Sequence, residues 1–218
     1  MKLLLQKNEM EIYDCLSKKR WLFLVLLVLC SAAIVRFTTQ VLSDDPEITL
    51  TLDEPWEDMR QRSSAAISPA LPGRVWFGMP KTDARLRFID PQYGFETPLA
   101  RFFTIGFKNE RVTDVRMSPQ IEPLSLDDAL KVVLDLQDQW HQQGWFVSSP
   151  RSDPPITDTP QGRNKIRGVL GGRTFWQASD KYQIMLGIGR FKDKKNPDQE
   201  RFLITLELAK PWIPIETK

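Results

Sequence analysis

No cysteine follows Cys30 in this 218-residue chain, so no intrachain disulfide braces the long C-terminal part. Asn-x-Ser/Thr does not occur anywhere, which removes N-linked glycans as well. A small domain exported by a eukaryotic cell commonly relies on one or the other. For an exported body the bacterial periplasm is therefore the expected compartment. Size makes the missing staples harmless, because about 140 ordered residues can bury an adequate core without them.

Histidine is equally scarce. His141 is the single one, and with no cysteine beyond position 30 little is left to ligate a transition metal. No EF-hand spacing of carboxylates occurs, and GxSxG, HExxH, CxxC and P-loop patterns are absent. No metal and no other cofactor is expected. Gly171-Gly172 and Gly187-x-Gly189 raise the question of a phosphate loop, which requires a strand feeding a helix start; Gly187 and Gly189 lie inside a strand pattern instead and are expected to allow close approach of the backbone or the helix. His141 reads as a surface imidazole near helix carbonyls rather than a general base.

A basic excess is missing too. Five of the 30 Lys/Arg and three of the 28 Asp/Glu precede Arg36, so the remainder holds 25 of each and is neutral, although the whole chain is +2. A nucleic-acid binder replaces phosphate counterions with a surplus of cations. No nucleic-acid partner is expected.

Long apolar runs are absent except for one, WLFLVLLVLCSAAIV at 21–35, flanked by Lys18-Lys19-Arg20 and Arg36. Trp21, Leu22, Phe23, Leu24, Val25, Leu26, Leu27, Val28, Leu29, Ile34 and Val35 are its membrane-facing candidates. A helix of that length rises about 22 Å, short of the ~30 Å hydrocarbon core. Snorkelling by Arg20 and Arg36, with Phe37 beyond, offsets the shortfall. Its Leu, Ile, Val and Phe residues together favour insertion by about 3 to 6 kcal/mol. Lys7, Lys18, Lys19 and Arg20 precede the segment, which predicts a cytoplasmic N-terminus. Ser31-Ala32-Ala33 also suits a signal peptidase, with cleavage after Ala33, but Glu9, Glu11 and Asp14 spoil the brief basic head of a signal peptide. An uncleaved anchor is the expected form, and either form exports the body. The expected organisation is a cytoplasmic head at 1–20, a transmembrane anchor at 21–37, an acidic and Pro/Ser-rich linker at 38–73, and a periplasmic domain at 74–218.

Within the body the period is mostly two. Glu47–Leu52 alternates as a possible first strand inside the linker. Strands are expected at 74–79, 85–89, 101–107 and 111–117, the last two forming a hairpin through Lys108-Asn109-Glu110. Leu126, Ala129, Leu130, Val133, Leu136 and Trp140 recur at helical spacing, with Ser125 as N-cap, Asp128 as its capping partner and Gly144 ending the helix. Residues 149–166 hold four prolines and no periodicity, which predicts a disordered or binding loop. Strands are expected again at 174–178, 182–191 and 202–208, with a charged loop at 192–201. The fold class is thus α+β: an antiparallel sheet packed on one main amphipathic helix, preceded by a single N-terminal transmembrane helix.

The strand ending at Met117 and the following Pro123–Leu130 (PLSLDDAL) resemble the strand-to-helix passage of small periplasmic PepSY-type domains. That resemblance implies a non-catalytic inhibitory or binding module; the rest of the chain does not follow the PepSY pattern. Function is expected along the same line: binding to another envelope protein, as an accessory subunit of a multi-subunit complex or as an immunity protein against a toxin. Trp56, Trp76 and Trp212 fall in loops or at chain edges, where aromatics serve as contacts. Arg163, Lys165 and Arg167, with Arg173, form a basic cluster without an intervening acid that would suit an acidic partner. The competing expectation is a cell-wall or glycan hydrolase using helix carboxylates such as Asp135 and Asp138.

Overall fold

A computed structural model describes residues 45–194 and 197–216. The expected head and anchor, and the start of the linker, lie outside the described residues. Among the described residues no helix is long and apolar enough to cross a membrane.

In chain order the elements are β1 (Glu47–Leu50), α1 (Trp56–Arg62), β2 (Val75–Gly78), β3 (Arg85–Phe88), β4 (Phe95–Glu96), β5 (Phe103–Lys108), β6 (Arg111–Met117), α2 (Leu126–Gln142), β7 (Phe146–Val147), α3 (Pro160–Arg167), β8 (Gly172–Ala178), β9 (Tyr182–Phe191) and β10 (Arg201–Ala209). Among the described residues the fold is α+β, with mostly antiparallel sheets and three helices. A seven-stranded sheet runs β2-β5-β6-β10-β9-β8-β7, and a three-stranded one runs β1-β3-β4.

Alternation builds the large sheet. Phe103, Ile105 and Phe107 of β5, Val115 and Met117 of β6, Ile184, Leu186 and Ile188 of β9, and Phe202, Ile204, Leu206 and Leu208 of β10 are all buried on one face. α2 lies across β9 and β10 on that face and touches β4. Its stripe of Leu126, Ala129, Leu130, Val133, Leu136 and Trp140 is buried as the spacing predicts. Each large aliphatic side chain so buried contributes about 1.5 to 3 kcal/mol.

Both ends of α2 follow from local chemistry. Ser125 Oγ accepts from the Asp128 amide and donates to the Asp128 carboxylate. At the other end Gly144 turns left-handed (φ +82°). Trp145 N–H then donates to the Trp140 carbonyl and Gly144 N–H to that of His141, the two bonds of a Schellman cap. The rings of Trp140 and Trp145 meet 6.5 Å apart.

Four expectations are corrected. First, the compact unit begins at Asp45 rather than near 74, and the described part of the supposed linker is core: Ile48, Leu50, Leu52, Met59, Ala65 and Ile67 are buried. Its acids conceal this, because the buried Glu54 accepts from the Thr51 amide at 2.8 Å and pairs with Arg62. Second, the sheet is not single or wholly antiparallel, since β1 pairs parallel with β3. Parallel pairing needs a crossover, and residues 51–84, including α1, supply it. Third, α1 and α3 join the one expected helix. Fourth, 149–166 is not a structureless loop. Thr159 caps α3 by accepting from Gly162 N–H at 3.1 Å, Pro160 opens it, and Ile166 is buried. With a single buried apolar residue, α3 offers no period to read.

Candidate functional site

Among the described residues β2 is the free edge of the large sheet, hydrogen-bonded to β5 on one side only. Trp76 points inward and stacks on Phe107, with ring centroids 5.3 Å apart and planes at 23°. Gly78 follows because a Cβ there would stand 2.8 Å from the folded-back Trp76 ring. Val75 and Phe77 therefore point outward, 81% and 69% exposed. Phe77 sits opposite Gly106, where a side chain is barred by the Asp114 carboxylate, 2.1 Å from the Cβ position. On the outer face that carboxylate takes the place of a cross-strand side chain beside Phe77. Such an edge combines unpaired backbone groups with apolar side chains, the chemistry that strand addition uses.

A second apolar feature lies on the other side of β6. A cleft of about 380 Å3 opens among Phe102, Ser118, Gln120, Pro123 and Leu203. The carboxamide of Gln120 fills in for a missing strand there, accepting from Ile204 N–H (2.8 Å) and donating to the Phe202 carbonyl (3.1 Å).

The polar cleft, about 470 Å3, is lined by Arg87, Asp90, Glu96 and Gln139. Its polar groups are engaged. Arg87 pairs with Glu96 at 2.7 Å, and Gln139 accepts from the Glu96 amide and donates to Asp135. Asp90 accepts from the amides of Gln92 and Tyr93 and from the Tyr182 hydroxyl. Burial pushes this carboxyl up, but those donors, with Lys181, outweigh it and hold it below the usual carboxylate range. Burial, reinforced by Asp90, pushes the Tyr182 phenol up. A general acid needs a raised carboxyl, and Asp90 moves the other way.

The residues singled out in the sequence do not converge. Trp56 and Trp76, expected at exposed edges, are half-buried against the core; the Arg60 guanidinium lies over Trp56 at 5.7 Å. Trp212 alone remains exposed, at 42%, edge-on to Phe175 of β8. β2 and β8 are five strand steps apart, about 24 Å at ~4.8 Å each. Nor is the basic cluster a bare cationic patch. Arg163 pairs with Asp127 and Asp158, Arg167 with Glu200, and Arg173 with Asp153. These acids are distant in sequence or outside the window that defined the cluster. Lys165 is exposed.

Asp135 and Asp138 lie on the solvent face of α2, and His141 is exposed at its last turn. Among the described residues no group of three or more His, Cys, Asp or Glu side chains could hold a metal ion. Gly187 is in ordinary contact, its Cβ position 3.8 Å from the Gly172 carbonyl, and Gly189 has open space; the tight approach occurs at Gly171, whose Cβ position is 2.4 Å from the Ile188 carbonyl. Sequence reasoning missed Val75 and Phe77, although Val-Trp-Phe breaks the alternation of a half-solvated strand and was a readable signal.

Compared with protein-family models, with curated proteins and with solved structures, the chain matches none. The PepSY resemblance rests on the passage from β6 into α2 alone.

Proposed function

We propose that this chain is a single-pass inner-membrane protein whose body lies in the periplasm and binds another envelope protein without catalysing a reaction. The observation that carries the reading is the edge strand β2, with Val75 and Phe77 exposed on it. Monomeric proteins blunt such edges with lysine, proline or a bulge, and Val75–Gly78 contains no lysine or proline. Large exposed aliphatic and aromatic groups on an unpaired strand favour a protein partner that extends the sheet. The partner is either a subunit of an envelope complex, with this chain as accessory, or a toxin, with this chain as immunity protein. Tethering suits both roles, because it raises the local concentration of the binding surface.

The experiment is photocrosslinking in cells, with a photoreactive phenylalanine analogue replacing Phe77. A discrete adduct that is missing when the analogue replaces Asp180, and that Val75→Glu abolishes, is expected. Adducts equally strong from both positions would refute the edge as binding surface. If the purified chain released soluble fragments from cell wall, and Asp135→Asn with Asp138→Asn stopped it, the hydrolase reading would replace this one.

A further inference from the structure

Between α3 and β8 the chain reverses in four residues, Gly168-Val169-Leu170-Gly171, closed by the Gly171 amide donating to the Gly168 carbonyl at 3.2 Å. The two middle residues are the most exposed large hydrophobics among the described residues, Val169 at 105% and Leu170 at 96%. Turn tips in water are ordinarily Gly, Asn, Asp, Ser or Pro. The mount is stiff: Gly171 is left-handed (φ +66°) and pressed against the Ile188 carbonyl of β9. Behind the tip, Arg167 and Arg190 share the single carboxylate of Glu200, at 3.1 and 3.8 Å. Two guanidiniums to one carboxylate give this trio one net positive charge. Arg173, just beyond the turn, is balanced by Asp153.

Aliphatic side chains in front of a cationic rim match the boundary between acyl chains and anionic headgroups. The position of the turn favours a bilayer over a protein pocket. Gly172 lies opposite Ile188, and Ile188 opposite Ile204, so the turn is at the end of the large sheet where β10 begins. Asp45 emerges towards that same end. Pro46 accepts from the Arg85 amide, Ala84 is bridged to Ala100, Arg101 N–H donates to the Gln120 carbonyl, and Gln120 holds Phe202 and Ile204.

We infer that Val169 and Leu170 form a second membrane contact, entering the headgroup boundary of the bilayer that carries the anchor. The inference rests on the proposed anchor at 21–37. Two side chains would hold a free protein to lipid only weakly, but in a tethered one the contact is intramolecular.

The test uses the full chain with Cys15→Ser and Cys30→Ser, carrying Leu170→Cys labelled with an environment-sensitive fluorophore. The chain is reconstituted into vesicles of phosphatidylethanolamine and phosphatidylglycerol. Asp180→Cys, in the β8–β9 turn at the opposite end, is the reference, and near-ultraviolet circular dichroism checks the fold of both. A blue shift at 170, quenched by a nitroxide on the upper acyl chain and missing at 180, is expected. If the chain floats with the vesicles through alkaline carbonate while both probes stay aqueous, the inference fails and the anchor stands. A chain that does not float, with an aqueous probe at 170, removes both. A shift seen in native membranes but not in pure lipid would assign the turn to a protein partner and overturn the lipid contact.

Discussion

The carboxamide of Gln137, on the buried side of α2, holds Ile156 by both of its backbone polar groups. Nε2 donates to the Ile156 carbonyl at 2.8 Å, and Oε1 accepts from the Ile156 amide at 2.9 Å. A side chain here does what a neighbouring strand would do. Gln183 does the same for the C-terminal segment, accepting from the amides of Trp212 and Ile213 and donating to the Ile213 carbonyl. Gln120 acts likewise on the side of Phe202 and Ile204 that faces away from β9. Gln137→Ala leaves a buried amide and carbonyl unpaired, at about 1 to 3 kcal/mol each. The expected loss is about 2 to 6 kcal/mol in urea unfolding, with faster hydrogen exchange at Ile156. An unchanged midpoint would mean the segment is held by other contacts.

The β5–β6 hairpin carries a correctable strain. Asn109 and Glu110 both have positive φ, 49° and 61°, the conformation of a type I′ turn. Asparagine tolerates it and glutamate does not. Glu110→Gly should stabilise the body by about 0.5 to 1 kcal/mol, raising Tm by about 1 to 4 °C in a calorimetric scan.

Asp90 sets a pH dependence. Its folded-state carboxyl lies below its unfolded value near 3.9, so its contribution is fully present above that value and is lost as pH falls through the folded pKa. Asp90→Asn should destabilise at pH 7. The difference from the unmodified protein should shrink below about pH 4, read from urea midpoints across a pH series. A constant difference would assign the effect to packing.

Trp76 and Phe77 separate folding from binding. Trp76→Ala removes a ring stacked on the core and should cost about 3 kcal/mol or more. Phe77→Lys alters an outward side chain and should stay within about 0.5 kcal/mol while abolishing a crosslink from Val75. Equal destabilisation by both would show that Phe77 has a structural role.

The ion pairs of Arg163 and Arg167 involve exposed acids and partly exposed guanidiniums. Arg163→Ala and Arg167→Ala should each change stability by less than about 1 kcal/mol, and the change should shrink further in 0.5 M salt as screening shortens. A larger, salt-independent loss would point to packing by the arginine stems.

The helix α2, its caps and the strands β5, β6, β8, β9 and β10 were legible in sequence because their information is local. Ser125 and Asp128 are three residues apart, Gly144 adjoins the end it closes, and side chains at period 2 declare a face without reference to anything distant. Where local signals conflicted, the reading failed. Glu54 and Arg62 make residues 51–62 look solvated, yet Met59 between them is core. Thr159 and Pro160 were a readable start for α3, masked by the prolines around them.

Sequence alone thus determined the amphipathic helix, the antiparallel hairpins, the neutral body and the single apolar N-terminal run, because each is written in neighbours a few residues apart. Tertiary structure decided that 45–73 belongs to the core, that β1 lies parallel to β3, that the basic cluster is neutralised from afar, and that β2 is an unpaired edge among the described residues. Those outcomes depend on which residues meet across long separations, as Arg163 meets Asp127 and Lys210 meets Asp53. No local pattern encodes such meetings; they are fixed only when the whole chain has found its packing.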